Sequence, residues 1–185
     1  MKKISLLISS LILLLLIGCS SEESEIQSKF DAKLEEFNTL METNSYIFTT
    51  EAELGTNTVY FLNADSFAID GVLNDITQRT FCNIDGRYAE SFAGVLQDYN
   101  ADKVKSFCEE TQSTLSNYYL SVVSELDDIE VVVKYSEDEE FYIAESTNND
   151  RKFKISKTEN TVQYLQGSYS FTIIIDDFEL PFSLD

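Results

Sequence analysis

Three cysteines and the absence of any histidine set the chemical limits of this 185-residue sequence. Without imidazole there is no Ser-His-Asp or Cys-His machinery, no His-ligated zinc and no HExxH protease site. Paired carboxylates can hydrolyse glycosides without histidine. With 33 acidic residues such pairs arise by chance, and a chain lacking Trp makes a poor sugar cleft. The Asp127-Asp128 and Glu137–Glu140 clusters therefore read as solvated faces. Gly55, Gly71, Gly86, Gly94 and Gly167 are too far apart for a GxGxxG or P-loop cradle. Around Asp70-Gly71, Phe67 and Ala68 stand where a calcium loop would need ligands. No catalytic residue, metal site or cofactor is expected, and the chain is read as non-enzymatic.

The thiols have other uses. Cys19 ends the apolar stretch Ile4–Ile17, which follows Lys2 and Lys3 and is interrupted only by Ser5, Ser9 and Ser10. The stretch is short for a stable membrane span, which needs about 20 apolar residues, and has the layout of a secretory leader. Its final Leu16-Ile17-Gly18-Cys19 resembles the lipobox of bacterial lipoproteins. That resemblance implies cleavage before Cys19, acylation of its thiol, and a membrane anchor on the extracytoplasmic side of a bacterial cell or outer membrane. Residues 1–18 are then the leader, 19–24 a polar tether reaching at most roughly 20 Å, and 25–185 a single domain. Two or more acyl chains, at about 0.8 kcal/mol per buried methylene, hold such a domain stably.

Loss of the leader takes Lys2 and Lys3 with it, leaving 11 basic against 33 acidic residues, a charge of −22. Anionic lipid and nucleic acid would both be repelled. The densest basic run, Arg151-Lys152-Phe153-Lys154, lies in an acidic background and reads as a strand face, so no nucleic-acid partner is expected. A hydrophobic content of 43% and an aromatic content of 12% are too high for a disordered acidic chain. With Cys19 acylated, Cys82 and Cys108 remain. An exported compartment favours a disulfide between them over two buried thiols. It would close a loop of about 27 residues and contribute roughly 3 kcal/mol.

The elements that must position these groups follow from periodicity. Ile26, Phe30, Leu34, Phe37, Leu40 and Met41 share one helical face, with Ser24 and Gln27 spaced as a capping box. From Ser45 the period becomes two, giving strands over Ser45–Leu54, Thr58–Ala64 and Ser66–Asp70, with Gly55-Thr56-Asn57 as a turn. Gln78–Ile84, Asp85-Gly86 and Arg87–Phe92 form a hairpin, because Gly accepts positive φ without penalty. Val104, Phe107, Cys108, Thr111, Leu115, Tyr118, Val122 and Leu126 recur at helical spacing from an Asn100 N-cap, with Cys108 facing the sheet that carries Cys82. Strands follow over Ile129–Tyr135, Phe141–Ser146, Lys152–Lys157, Thr161–Gln166 and Tyr169–Asp176, and Pro181 fits an edge or terminal position.

No interval supplies repeated βαβ crossovers, so the expected class is α+β. It consists of about ten strands in a curved, mainly antiparallel, half-barrel-like sheet, with two amphipathic helices on its concave face. An apolar pocket between sheet and helices would be lined by Phe48, Phe61, Phe81, Tyr88, Phe92, Phe107, Leu115, Tyr118, Phe171 and Ile173.

The element order, Ser45-Tyr46 opening the first strand, the Ile84-Asp85-Gly86-Arg87-Tyr88 hairpin and the closing Leu180-Pro181-Phe182 together resemble the LolA-like half-barrels. That family includes the LolA/LolB lipoprotein carriers and the LprG/LppX lipoproteins. The resemblance spans Ser24 to about Phe182 and implies lipid or lipoprotein handling. Two functions follow as expectations. One is an anchored binder of a lipid or acylated ligand. The other is an envelope interaction module (antigen, sensor, inhibitor or exclusion lipoprotein) whose acidity suits a cationic protein partner.

Overall fold

A computed structural model describes residues 2–63, 65–73, 75–97, 101–124, 133–146 and 150–182, with side chains from Glu22 onward except those of Leu73, Gln97 and Ser116. Helix α1 (Lys2–Thr43) leads into β1 (Tyr46–Ala52), β2 (Gly55–Asn63), β3 (Ser66–Leu73), β4 (Ile76–Ile84), β5 (Arg87–Phe92) and β6 (Val95–Gln97). Helix α2 (Ala101–Ser124) follows, then β7 (Val133–Glu137), β8 (Phe141–Ser146), β9 (Arg151–Ser156), β10 (Thr161–Gln166) and β11 (Tyr169–Ile175).

The strands form one curved antiparallel sheet in the order β6-β5-β4-β3-β2-β1-β11-β10-β9-β8-β7. Each half is a meander, which short turns can build without crossovers. The halves join where β1 pairs with β11, Phe48 opposite Ile173 and Thr50 opposite Phe171. The class is α+β, with eleven strands where about ten were expected; the additional one is β6. Ala93 and Gly94, both at positive φ, make the two-residue turn into it. The Asp85-Gly86 turn has φ of 52° and 77° and forms as expected.

The first hairpin departs from expectation. Its turn is Glu53-Leu54, and Gly55 already pairs with Ala52, so Gly55-Thr56-Asn57 belongs to β2. The backbone of α1 is helical from Lys2, which places Ser24 inside the helix rather than at its N-cap. No breaker between Ile4 and Ser24 other than Gly18 would stop it. Cys19 lies in this helix, and its side chain is outside the described residues. Asn100, Leu126 and the expected strand start at Ile129 also lie outside them. Among the described residues, no helix is long and apolar enough to cross a membrane.

Alternation along the strands decides what each face carries. Phe48, Val59, Phe61, Phe67, Cys82, Phe153, Ile155, Val162, Tyr164, Phe171 and Ile173 form a buried layer with Phe30 and Phe37 of α1 and Val104, Cys108, Tyr119 and Val122 of α2. Both helices thus cover one face. The other face buries a smaller cluster, Ala68, Phe81, Ile84 and Ala89, under Leu62, Leu180 and Phe182.

Candidate functional site

On the helix-covered face the aromatic layer is close-packed. Phe171 stacks on Phe48 at 5.3 Å and on Tyr164 at 5.1 Å, and Tyr118 and Tyr119 meet its ring edge-on at 6.0 and 6.4 Å. Tyr46 stacks on Phe61 at 4.5 Å. Phe30 of α1 reaches across the sheet to Tyr135 and Phe153 at 5.5 and 5.9 Å. Offset and edge-on rings each add about 0.5–1.5 kcal/mol beyond the area they bury.

Several residues expected to line a pocket pack into this layer, although Phe61 also borders, with Met41, Tyr46 and Gln112, a cleft of about 270 Å³ between sheet and helices. Phe48, Phe61, Phe171 and Ile173 are buried within this layer, and Tyr88, Leu115 and Tyr118 pack partly buried at its margin. Three others lie elsewhere. Phe81 is on the opposite face, under Phe182 at 5.6 Å. Neighbouring strand residues point to opposite faces, so Cys82 facing α2 sends Phe81 outward. Phe107 is 46% exposed and Phe92 48% exposed. The structure brings Phe92 to an open groove, and Phe107 stands on the solvent side of α2.

The Cys82–Cys108 disulfide forms, with Cα atoms 5.7 Å apart. It ties α2 to β4 and leaves neither thiol free for chemistry. Nearby, the hydroxyl of Tyr119 donates to Asn38 Oδ1 at 2.6 Å, joining the two helices. Burial pushes the Tyr119 and Tyr169 phenols well above the ordinary range and that of Tyr46 up to about 12. These phenols stay neutral across the physiological range.

Beyond the reach of the helices, the same face opens. A groove of about 350 Å³ lies across the ends of β1–β5. Its register is continuous: Thr50 opposite Asn57, Asn57 opposite Gly71, Gly71 opposite Gln78, and Gln78 opposite Phe92. Gly55 and Gly71 give the floor its depth, because a strand position without a side chain leaves the volume a residue would fill. A Cβ on Gly71 would lie 2.7 Å from Asn57 Oδ1, so the Asn57 amide folds over this glycine. The walls are Ala52, Leu54, Val72, Ile76 and Phe92. Leu54, 76% exposed, and Ile76, 46% exposed, form an apolar rim. The polar groups lining the groove as side chains are two neutral carboxamides, Asn57 and Gln78.

Of the ten residues expected to form a pocket, only Phe92 lines this groove. Leu54, Asn57, Gly71, Val72, Ile76 and Gln78 were missed. The available sequence clue was Gly71, an isolated glycine inside a strand, which marks a bulge or a place where something approaches the backbone.

Charged groups gather around the β7–β8 turn. Asp138 Oδ1 accepts backbone N–H groups of Glu140 and Phe141 at 2.9 and 2.7 Å, which hold its carboxyl below the usual range. Lys157 pairs with Glu137 at 2.6 Å and lowers that carboxyl as well. Lys152 of the basic run pairs with Glu145 at 3.4 Å across β8 and β9. Among the described residues, no three of Asp, Glu, His and Cys come together as a metal site.

The groove across β1–β5 is thus neutral and apolar, with two amide contacts. Comparison with known proteins adds no assignment: no family model matches the chain, and no curated protein matches it significantly.

Proposed function

We propose that this chain is a lipid-anchored, non-catalytic binding protein of the bacterial envelope that holds the apolar part of a lipid or acylated ligand. The observation that carries this reading is the groove across β1–β5, walled by Leu54, Val72, Ile76 and Phe92 over a floor of Gly55 and Gly71, with the Asn57 amide lying against Gly71. Its volume is in the range of small-ligand sites, about 300–1,000 Å³. An alkyl chain fits walls of this kind, and Asn57 and Gln78 offer neutral hydrogen bonds to an ester or amide. The ligand would lie at the uncovered end of this face rather than beneath the helices. It also draws on the half-barrel resemblance, with the helices on the concave side, and on Cys19 as the acylated residue.

The test is native mass spectrometry of the protein purified from membranes, followed by titration of the delipidated protein with a fluorescent fatty acid. A co-purifying acyl species and saturable binding abolished by filling the groove at Gly71 are expected. A ligand-free protein that binds no acyl probe overturns the reading. Replacement of Cys19 by Ser should release the protein from the membrane fraction. The exposed rim of Leu54 and Ile76 favours a second reading, an envelope protein-interaction module. Salt-sensitive capture of a cationic protein partner by a chain that binds no lipid would identify it.

A further inference from the structure

The chain continues past β11, a central strand of the sheet. Residues 176–182 turn onto the face opposite the helices and run without helix or strand structure. Phe178 packs on Tyr60 with ring centroids 5.7 Å apart, and Phe182 meets Tyr60 at 5.5 Å and Phe81 at 5.6 Å, both edge-on. The Arg79 guanidinium lies 4.5 Å from the Phe182 ring centroid while its Nε donates to Asp70 Oδ1 at 2.9 Å. Beneath Leu180 and Phe182 lie Ala68, Phe81, Ile84 and Ala89, all buried. Among the described residues, no backbone hydrogen bond joins 176–182 to the strands below. Pro181 has no N–H to offer one.

We infer that this segment is a releasable strap over a docking surface on β2–β5, and that the surface takes an extended aromatic segment of the strap's own chemistry. Two features support this. First, every strand beneath is held by a backbone ladder, whereas among the described residues the strap is held by side-chain packing and, at its root, by the Ser45 hydroxyl donating to the Asp176 carbonyl at 3.0 Å, so beyond Asp176 it can open without disturbing the sheet. Second, the strap is itself a bound template: Phe178 and Phe182 four residues apart, Leu180-Pro181 between them, and Asp176, Asp177 and Glu179 alongside. Arg79, held in place by Asp70, supplies the specificity by presenting its guanidinium to the face of one ring. Once the strap lifts, Phe81 and Tyr60 become a contiguous apolar patch, which soluble surfaces rarely leave uncovered. A competing segment would close it again.

The test uses the full chain carrying a protease site between Asp176 and Asp177, folded first and then cut. The cut strap should leave on dilution, a hydrophobic dye should bind several-fold more, and the sheet's circular dichroism and the Cys82–Cys108 bond should persist. Adding the peptide of residues 176–185 should reverse the dye signal. The same peptide with Phe182→Ala should bind at least about tenfold more weakly. The uncut chain should ignore the peptide, whereas an uncut Phe182→Ala chain should bind both dye and peptide. Loss of the sheet signal on cutting, unchanged dye binding, or a peptide that fails to reseal the face would each overturn the inference.

Discussion

The ring of Phe171 lies stacked on that of Phe48 at 5.3 Å, so β11 and β1 share one aromatic layer although 123 positions separate the two residues. This contact sits at the seam of the sheet. Residues 46–97 build one meander and residues 133–175 the other, and their strands pair with each other at the β1–β11 ladder. Helix α1 packs over β7–β9 and α2 over β4 and β5, with Tyr118 and Tyr119 of α2 reaching Phe171 at the joint.

Phe171→Ala should accordingly be among the most damaging core changes. The side chain is buried, and its removal also strips a partner from Phe48, Tyr164, Tyr118 and Tyr119. A loss of about 3–5 kcal/mol is expected, the range for truncating a buried phenylalanine. Urea denaturation followed by circular dichroism measures it. A loss below about 1 kcal/mol would show that the seam tolerates a cavity of this size.

The disulfide gives a second prediction. Cys82 and Cys108 are 26 positions apart, and the link pins α2 over β4. The double replacement by Ala should cost about 3 kcal/mol, chiefly by freeing the unfolded chain. The oxidised protein should resist denaturant more than the same protein under reductant, while the double Ala variant should respond to reductant not at all.

Much of the architecture could be read from the residues. The strands Arg87–Phe92, Phe141–Ser146 and Thr161–Gln166 follow from period-two alternation, and Asp85-Gly86 from the left-handed backbone that a tight hairpin demands. The disulfide follows from two remaining cysteines in complementary elements. The binding surface was less legible. Placing Phe81 in an inward pocket conflicts with strand alternation once its neighbour Cys82 meets Cys108, and the disulfide decides which of the two faces the helices. The groove was hidden for another reason: its depth comes from side chains that are absent, at Gly55 and Gly71, and its position depends on where the helices stop. Neither is a local property of the sequence. The strap has no periodicity of its own, and only the docking of Phe178 and Phe182 on Tyr60 and Phe81 reveals it.

Alkaline pH should unfold the protein through its buried phenols. Tyr46 has its pKa raised from 10.0 to about 12 by burial. A group raised in the folded state contributes its full stability below the unfolded pKa and loses it as pH rises through the folded value. Stability should therefore be level to pH 10 and fall between pH 10 and about 12. Tyr119 and Tyr169 are shifted the same way. Phenolate absorbance should rise together with the loss of circular dichroism, in one cooperative step. Tyr46→Phe removes one of these titrations and should make the fall shallower. Phenols that ionise fully while the sheet signal is intact would show that these rings are not held out of water.

Filling the groove separates a packing role from a binding one. The Cβ of a residue at position 71 would press on Asn57 Oδ1 at 2.7 Å, the free end of a flexible side chain that can rotate away. Gly71 does not have the positive φ recorded for Gly55, Gly86, Gly94 and Gly167. Gly71→Leu should thus fold normally and place an apolar side chain where a ligand's chain would lie. We expect fluorescent fatty acid affinity to drop at least about tenfold, with the urea midpoint close to that of the parent. Gly71→Ala, which occupies less of the volume, should fall between the two. Undiminished acyl binding by a folded Gly71→Leu protein would place the ligand elsewhere on the molecule and remove the groove from the mechanism.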